Sequence, residues 1–350
     1  MRRVFRLEPC VRYTVGMLPN DLNQMLRGYM ESRAALTALE LDVFNAIGLG
    51  STAGALARKL STDARATEML LNALVAMGLL TKQREMFCNT PATVRYFMKG
   101  SEDDARPGLL HVANLWHRWS TLTECVRAGT SVGSPGSDQP SDEWTRNFIA
   151  AMHYNASERA TLVAEAVGTE GVERLLDVGG GSAAYSLAFA RASDKLHATV
   201  LDQAKVVLIA QRHIREADLT GRIDTRIGDL RCDRLGGDFN LVLVSAICHM
   251  LSPEENRDLL RRCFEALAPR GRVVIQDFIL ESDKTAPKQA ALFALNMLVG
   301  TPAGNTYSAD EYEAWLREVG FEDVSRVSLP APTSLIIGSR QDMKMPRNPR

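Results

Sequence analysis

The chain has 350 residues, more than most single domains, so two hydrophobic cores are expected. Hydrophobic side chains make up 45% and charged ones 24%, and 41 basic residues stand against 42 acidic ones. That balance places the chain in the globular class and argues against nucleic acid, or any polyanion, as its main partner. Six cysteines lie scattered without a CxxC pair, and six histidines show no HExxH-like spacing, so no metal site is expected and the thiols read as reduced and cytoplasmic.

The prefix "MRRVFRLEPCVRYTVGM" carries Arg2, Arg3, Arg6 and Arg12 but no uninterrupted apolar run, so it fails as a secretory signal. Residues 1–19 are expected to be poorly ordered, and a true start at Met17 would account for them. No apolar run reaches membrane-spanning length, so no membrane partner is expected. From Asn20 a helical stripe of Leu22, Met25, Leu26, Tyr29, Met30, Val43, Phe44 and Ile47 begins, and such a stripe must bury against something. Two short helices follow, "STAGALARKL" and "STDARATEMLLNALVAMGLL", the second capped by Ser61, Thr62 or Asp63 and stopped by Gly78. After them comes a hairpin-like "TKQREMFCNT". That order is the order of a winged helix. Its would-be recognition helix, from Ala64 to Met77, has Arg65 as its one basic residue, too little to neutralise several phosphates, so the module over 20–105 reads as a packing or dimerisation unit.

Helices are next expected over about 108–126, with Trp116 and Trp119, and over 142–167, forming a helical connector across 106–170. Between them the Gly/Ser/Pro stretch at 128–141 reads as a mobile loop, either a lid or a linker. Beyond Gly171 strands and helices alternate: "VERLLDV", "AAYSLAFARAS", "LHATVLD", "AKVVLIAQRHIREA", "RIDTRIGD", "FNLVLVSA", "PEENRDLLRRCFEALA", "GRVVIQDFIL". The fold class is α/β, a doubly wound, mainly parallel sheet over 171–340. "FEDVSRVSLP" and "TSLIIGSR" close it with an antiparallel hairpin, and 341–350 form a basic tail.

"LLDVGGGSAAYS" puts Asp177 at the end of the first strand of this sheet, followed by Gly179, Gly180 and Gly181. Glycines there let a ligand approach the backbone and permit positive φ in a tight turn. Asp202 ends the second strand beside Gln203, where a carboxylate accepts from both hydroxyls of a ribose. Asp229, between Gly228 and Leu230 after the third strand, suits an adenine amino group, with Leu230 beside the ring. Asp177 ahead of the glycines favours a cation over a pyrophosphate. Each acid taken singly is as well explained as a solvated loop residue or a helix cap. Three at successive strand ends are harder to dismiss, and together with the terminal hairpin they point to S-adenosyl-L-methionine (SAM) over NAD, with Ser245, at the end of the fourth strand, a further cofactor-side candidate. His249, in "LVLVSAICHMLSPEEN", lies just beyond that strand, either as a half-buried strand-end histidine or as a functional base.

From about Asp21 to Arg340 the chain resembles the SAM-dependent O-methyltransferases of the plant caffeate and hydroxyindole type and their bacterial antibiotic-pathway relatives. The matching stretches include "LELDVF", "EMLLNALVAMGLL", "NTPATVRYF", "LLDVGGGSAAYSLAFA", "VLDQAKVV", "VSAICHMLSPEEN" and "EALAPRGRVVIQDFIL". The resemblance implies a class I methyltransferase domain, a winged-helix domain that makes a homodimer, and a small aromatic or polyketide-like hydroxyl acceptor. It also implies that His249 is the general base and Asp277 its partner. Imidazole suits that task, since its ordinary pKa of about 6.5 leaves it able to take a proton near neutrality. Met152 and Met297 fall where relatives clamp an aromatic ring, and Trp116, His153, Asn155, Phe293 and Asn296 are further pocket candidates. The chain departs from the family at three places. Ala183 replaces a loop glycine, which demands negative φ. Met250-Leu251 replaces Asp-Trp, and Thr306 stands where plant relatives carry a second acid. Other uses of SAM on the same fold, or a non-catalytic SAM-binding regulator, remain the alternatives.

Overall fold

In the computed structural model, residues 19–101, 103–133, 142–330 and 332–341 are described. The expectations for the N-terminal prefix, for most of the 128–141 loop and for the basic tail fall largely outside them. The chain divides into two compact units, Met1–Asp104 and Ala105–Arg350.

The first unit holds α1 (Pro19–Arg27), α2 (Tyr29–Glu40), α3 (Val43–Ile47), α4 (Ala53–Leu60), α5 (Ala64–Ala76), β1 (Leu80–Gln83), β2 (Met86–Asn89) and α6 (Pro91–Phe97). The single stripe expected from Asn20 is three helices. Asp42, at φ 56, turns the chain before α3, so Val43, Phe44 and Ile47 enter the core. Leu22, Met25, Leu26, Tyr29 and Met30 are instead 43–71% exposed. Asp63 caps α5 by accepting from Ala66 N–H at 2.8 Å, and Gly78 follows the helix at φ +73. β1 and β2 pair antiparallel from Leu80↔Asn89 to Gln83↔Met86, and Ser51 adds a bridge to Phe87. Helices followed by this small wing form the winged-helix arrangement.

The second unit opens with α7 (Arg106–Trp119), α8 (Leu122–Ala128) and α9 (Asp142–Val167). The helix expected over 108–126 is broken in two. Ser120 Oγ and Thr121 Oγ1 donate back to the carbonyls of His117 and Arg118, at 2.6 and 2.7 Å, competing with the helical ladder. Then come β3 (Arg174–Val178), α10 (Ala184–Ala192), β4 (His197–Asp202), α11 (Ala204–Glu216), β5 (Ile223–Ile227), β6 (Phe239–Ser245) and a 3₁₀ turn at Cys248–Met250. They are followed by α12 (Pro253–Ala266), β7 (Leu267–Asp277), β8 (Ile279–Leu280), α13 (Lys288–Gly300), β9 (Tyr307–Ser308), α14 (Ala309–Val319), β10 (Glu322–Ser328) and β11 (Ser334–Ser339).

The main sheet runs β10-β11-β7-β6-β3-β4-β5. β3 to β7 are parallel, and the β10–β11 hairpin joins antiparallel to β7. Strands buried on both faces read as continuous apolar runs, which is why "LVLVS" and "VVIQ" are so hydrophobic. One core, with Leu259, Leu260, Tyr312 and Trp315, lies under α12 and α14, and the other, with Val163, Phe189 and Ala210, under α9, α10 and α11. Sequence order reverses between β3 and β6, which makes the crevice beyond their carboxyl ends the ligand position of such sheets. Among the described residues no helix is long and apolar enough to cross a membrane.

Candidate active site

The loop after β3 is shaped by three left-handed residues, Gly179 at φ +67, Gly181 at +57 and Ala183 at +68. The negative φ expected of Ala183 is therefore not what the turn adopts, and its buried methyl sits in a region costing a non-glycine residue about 1–2 kcal/mol. Gly180 is glycine for space, since a Cβ there would lie 2.7 Å from the Asp177 carboxyl carbon and 2.9 Å from Val200 Cγ1. Asp177 lies fully buried below the loop. Its Oδ2 accepts from Ser186 Oγ at 2.8 Å, while Oδ1 has no partner among the described residues. Burial first, and then the charge of Asp202, push its carboxyl up to about 6 against the pull of the Ser186 hydrogen bonds. Ser186 carried no sequence signal beyond its place four residues past Ser182 on a helix start.

Asp202 takes the Gly181 N–H on Oδ2 at 2.9 Å and the Gln203 N–H on Oδ1 at 2.7 Å, which ties the second strand end to the glycine loop. Burial raises its carboxyl above the ordinary range, and the two backbone donors oppose that. Each oxygen keeps a second lone pair for a ligand hydroxyl. Gly228 is close-packed, for a Cβ would meet Leu201 Cδ1 at 2.7 Å. Asp229 is exposed and holds its own turn by accepting the Arg231 N–H on Oδ1 at 2.8 Å, and Leu230 packs against the α12 side of the core near Gly179. Ser245 is buried and donates to Gln276 Oε1 at 2.5 Å, in a network in which Tyr185 OH also reaches that oxygen and Gln276 donates to Thr333. Gln276 was not singled out in the sequence, where it reads as one polar residue in a strand.

β6 and β7 place the next pair. Their register, Ser245↔Gln276, leaves Asp277, the last residue of β7, one residue beyond the β6–β7 pairing, while β11 pairs it through Ser334. Ala246, at φ 55, then turns the chain back over it. His249 Nδ1 lies 2.7 Å from Asp277 Oδ1, Asp277 Oδ2 accepts the His249 backbone N–H at 3.2 Å, and Oδ1 also accepts the Phe278 N–H at 2.8 Å. With donors directed at both oxygens Asp277 acts as an acceptor, so Nδ1 carries the ring proton and Nε2 is left with a lone pair.

The turn that bears His249 is clamped from three directions. Asn256 Nδ2 donates to the carbonyls of Cys248, Leu251 and Ser252 at 3.0 to 3.3 Å. Tyr307 OH donates to Leu251 O at 2.5 Å, and Asn305 N–H to His249 O at 2.9 Å. Gly304 allows that approach, because a Cβ would come within 2.5 Å of His249 O. Thr306, in the place of the second acid, is buried with no partner for its hydroxyl among the described residues.

Phe293 of α13 stands edge-on to the imidazole, centroids 4.9 Å apart, and stacks on Phe278 at 4.0 Å. Met297 is buried one turn further on, and Asn296 Oδ1 accepts from Trp119 Nε1 at 2.9 Å. Trp116 and Met152 are half-buried on α7 and α9, and Asn155 is exposed, with its side chain beside Gly108. His153 is a correction. Two residues apart on a helix, His153 and Asn155 point roughly 160° apart and do not face the same space. His153 instead bonds Ser182 Oγ at 2.8 Å and stacks on His213 at 4.1 Å. With Arg191 and Glu216 it lines a separate cavity of about 240 Å³ between α9, α10 and α11. Burial, and then His213, lower its pKa to about 4.

The donor set fits SAM. A buried, unpartnered carboxylate oxygen sits under a glycine loop, a second carboxylate is fixed by that loop, and a third stands at the next strand end. An extra phosphate would meet those acids unfavourably, whereas a cation and ribose hydroxyls would not.

Comparison with known proteins agrees. An O-methyltransferase domain profile matches residues 119–322, and an O-methyltransferase dimerisation domain profile matches residues 23–99. The chain is 32% identical over 320 residues to 3-hydroxy-5-methyl-1-naphthoate 3-O-methyltransferase of Streptomyces sahachiroi, covering 90% of this chain and 92% of that one. It is 28% identical over 334 residues to the tetracenomycin polyketide synthesis 8-O-methyl transferase of Streptomyces glaucescens, covering 92% and 97%. Human N-acetylserotonin methyltransferase, solved in complex with SAM, shares the fold at a TM-score of 0.82 and 23% identity over 95% of this chain and all of that one. From the strand-end acids, the glycine loop and these matches over both units, the chain belongs to the SAM-dependent O-methyltransferase family that joins a dimerisation domain to a Rossmann-like catalytic domain.

Proposed function

We propose that the methyl acceptor is a hydroxyl on a small aromatic or polyketide-like molecule, with His249 as general base and Asp277 as its orienting partner. The observation that carries the assignment is the 2.7 Å contact between His249 Nδ1 and Asp277 Oδ1, made at the carboxyl ends of two adjacent strands. SAM, when bound, supplies the methyl group as an electrophilic carbon on a sulfonium. The protein's part is to hold the hydroxyl in line and take its proton. Nε2 accepts that proton, and Asp277 steadies the imidazolium that results, without itself being protonated. Phe293, backed by Phe278, sets an aromatic edge against the imidazole, apolar surface that disfavours competing water at the nucleophile's place. Phenols suit such a base, since their acidity lies nearer imidazole than that of alcohols.

Asp177, Gly179, Gly180, Gly181, Asp202, Gln203, Gly228, Asp229, Leu230 and Ser245 are proposed for the cofactor side. Trp116, Met152, Asn155, Phe293, Asn296 and Met297 are proposed for the acceptor side. The likeness to the caffeate and hydroxyindole type, a homodimer through the first unit, and a cytoplasmic location belong to the same proposal. The dimerisation profile and the exposed apolar face of α1 support the second, and the free thiols of Cys88, Cys125, Cys232, Cys248 and Cys263 support the third.

The test is transfer of labelled methyl to a panel of catechols, hydroxynaphthoates and hydroxyquinones, alongside direct SAM binding. His249→Gln is expected to lower turnover by about 10² to 10⁴ while SAM binding persists. Asp277→Asn is expected to do the same, because an amide N–H facing Nδ1 favours the tautomer with the proton on Nε2. Undiminished turnover in His249→Gln would remove it from the mechanism, and label on ring carbon would overturn the hydroxyl acceptor.

A further inference from the structure

His153 follows Met152 on α9, yet its contacts are with the cofactor side of the molecule. Its Nδ1 lies 2.8 Å from Ser182 Oγ, and Ser182 is 4% exposed. Ser182 stands between the left-handed residues Gly181 and Ala183, and the Gly181 N–H is the donor that holds Asp202 Oδ2. His213 of α11 stacks on the same ring, centroids 4.1 Å apart and planes 14° from parallel. Helix α11 starts directly after Gln203, whose N–H holds Asp202 Oδ1. One imidazole therefore touches the glycine loop and the helix that follows Asp202, while riding on the helix that carries Met152. With its pKa lowered to about 4 the ring is neutral near pH 7, so it stacks on His213 without charge repulsion. The contact is not needed to dock α9, which Ile149, Ala151, Ala160, Val163, Ala164 and Val167 already bury.

Resting on the SAM reading of the glycine loop, we propose that His153 is a positioning residue that ties α9 to that loop through Ser182, so that cofactor binding orders the helix proposed for the acceptor side. Left-handed backbone persists where its surroundings over-determine it, and Ser182 is the point at which α9 supplies that restraint. A ligand that fixes the loop fixes one end of the bond, and the other end is then ordered at less entropic cost. By linkage, an acceptor held on α9 strengthens cofactor binding by the same factor.

The probe is S-adenosylhomocysteine, the demethylated product, which binds without turnover. Its Kd and its effect on amide hydrogen exchange over 149–156 and 179–187 are measured in the wild type, His153→Phe, His153→Asn, Ser182→Ala and the double variant His153→Phe with Ser182→Ala. In the wild type the product is expected to slow exchange in both segments. His153→Phe keeps a ring for His213 and loses Nδ1. It is expected to raise Kd about three- to tenfold, the worth of one hydrogen bond, and to lose the protection of 149–156 while keeping that of 179–187. His153→Asn puts an amide where Nδ1 was and is expected to restore both. Ser182→Ala is expected to match His153→Phe, and the double variant to be no worse than either. A merely structural role predicts a lower Tm with Kd and the exchange pattern unmoved, or additive effects in the double variant, and either result would overturn the coupling. Wild-type protein that binds the product but protects only 179–187 would overturn it too, leaving the SAM reading intact. Wild-type protein that does not bind the product would overturn the SAM reading and this inference together.

Discussion

Asp177 shows how one residue's environment becomes a binding property. Fully buried, with one oxygen unpartnered among the described residues, its carboxyl is pushed by burial from the ordinary 3.8 up to about 6. The folded protein without cofactor therefore binds more protons than the unfolded chain between about pH 4 and 6, and this group makes the fold less stable as pH rises through that window. A nearby cation reverses the preference and expels the proton. Apparent SAM affinity is expected to rise with pH up to about 6 and to level off above it, with proton release detectable by calorimetry in buffers of different ionisation enthalpy. Asp177→Asn should flatten the profile. A wild-type affinity constant from pH 5 to 7 would mean that the carboxylate does not sense the cofactor.

At the scale of the element, the glycine loop and the 3₁₀ turn are both built by close approach. Gly180 leaves no room for a methyl, because the Asp177 carboxyl it would strike is pinned by Ser186. Gly180→Ala is expected to cost about 1–3 kcal/mol by overpacking and to weaken SAM binding, seen as a lower Tm and a higher Kd. Gly237→Ala, where an added Cβ meets nothing within 4 Å, is the matched control and should change neither. Equal effects of the two would place the cost in backbone entropy rather than in the contact. The 3₁₀ turn depends on Asn256, Tyr307, Asn305 and Gly304, which arrive from α12 and from the segment before α14. Helix α12 itself begins with a capping box between Ser252 and Glu255, so the run that bears His249 is fixed at both ends.

For the whole molecule, the telling feature is an apolar face left exposed among the described residues. Leu22, Met25, Leu26, Tyr29 and Met30 expose 43–71% of their surface along α1 and the start of α2, inside the region matched by the dimerisation profile. Residues of this kind on one stripe mark an interaction surface. With the homodimer proposed above, Leu26→Asp is expected to give monomer in sedimentation at micromolar concentration where the unaltered chain gives dimer, since a carboxylate desolvated in an apolar contact costs several kcal/mol. An unchanged mass would move the interface elsewhere in the first unit.

The alternation of strand and helix after Gly171, the terminal hairpin and the acids at three strand ends were all legible in the sequence, because local apolar periodicity and turn chemistry encode them. The winged-helix order was legible for the same reason, and Asp63 and Gly78 bound α5 as their chemistry requires. Other features carry no periodic mark. The helix break at Ser120, the left-handed Ala183 and the Ser186 and Asn256 contacts are local but not periodic, while the turning of His153 toward Ser182 and His213 and the Gln276 and Trp119 contacts rest on partners distant in sequence. The sequence by itself determined the order of elements and the kinds of side chain at their ends, since those follow from interactions within a few residues. The resemblance named His249 and Asp277 as partners, but only the tertiary structure decided the contact they make and which amide meets an indole. Those pairings are set by strand register and helix packing, and a single turn of error at either one would have parted His249 from Asp277.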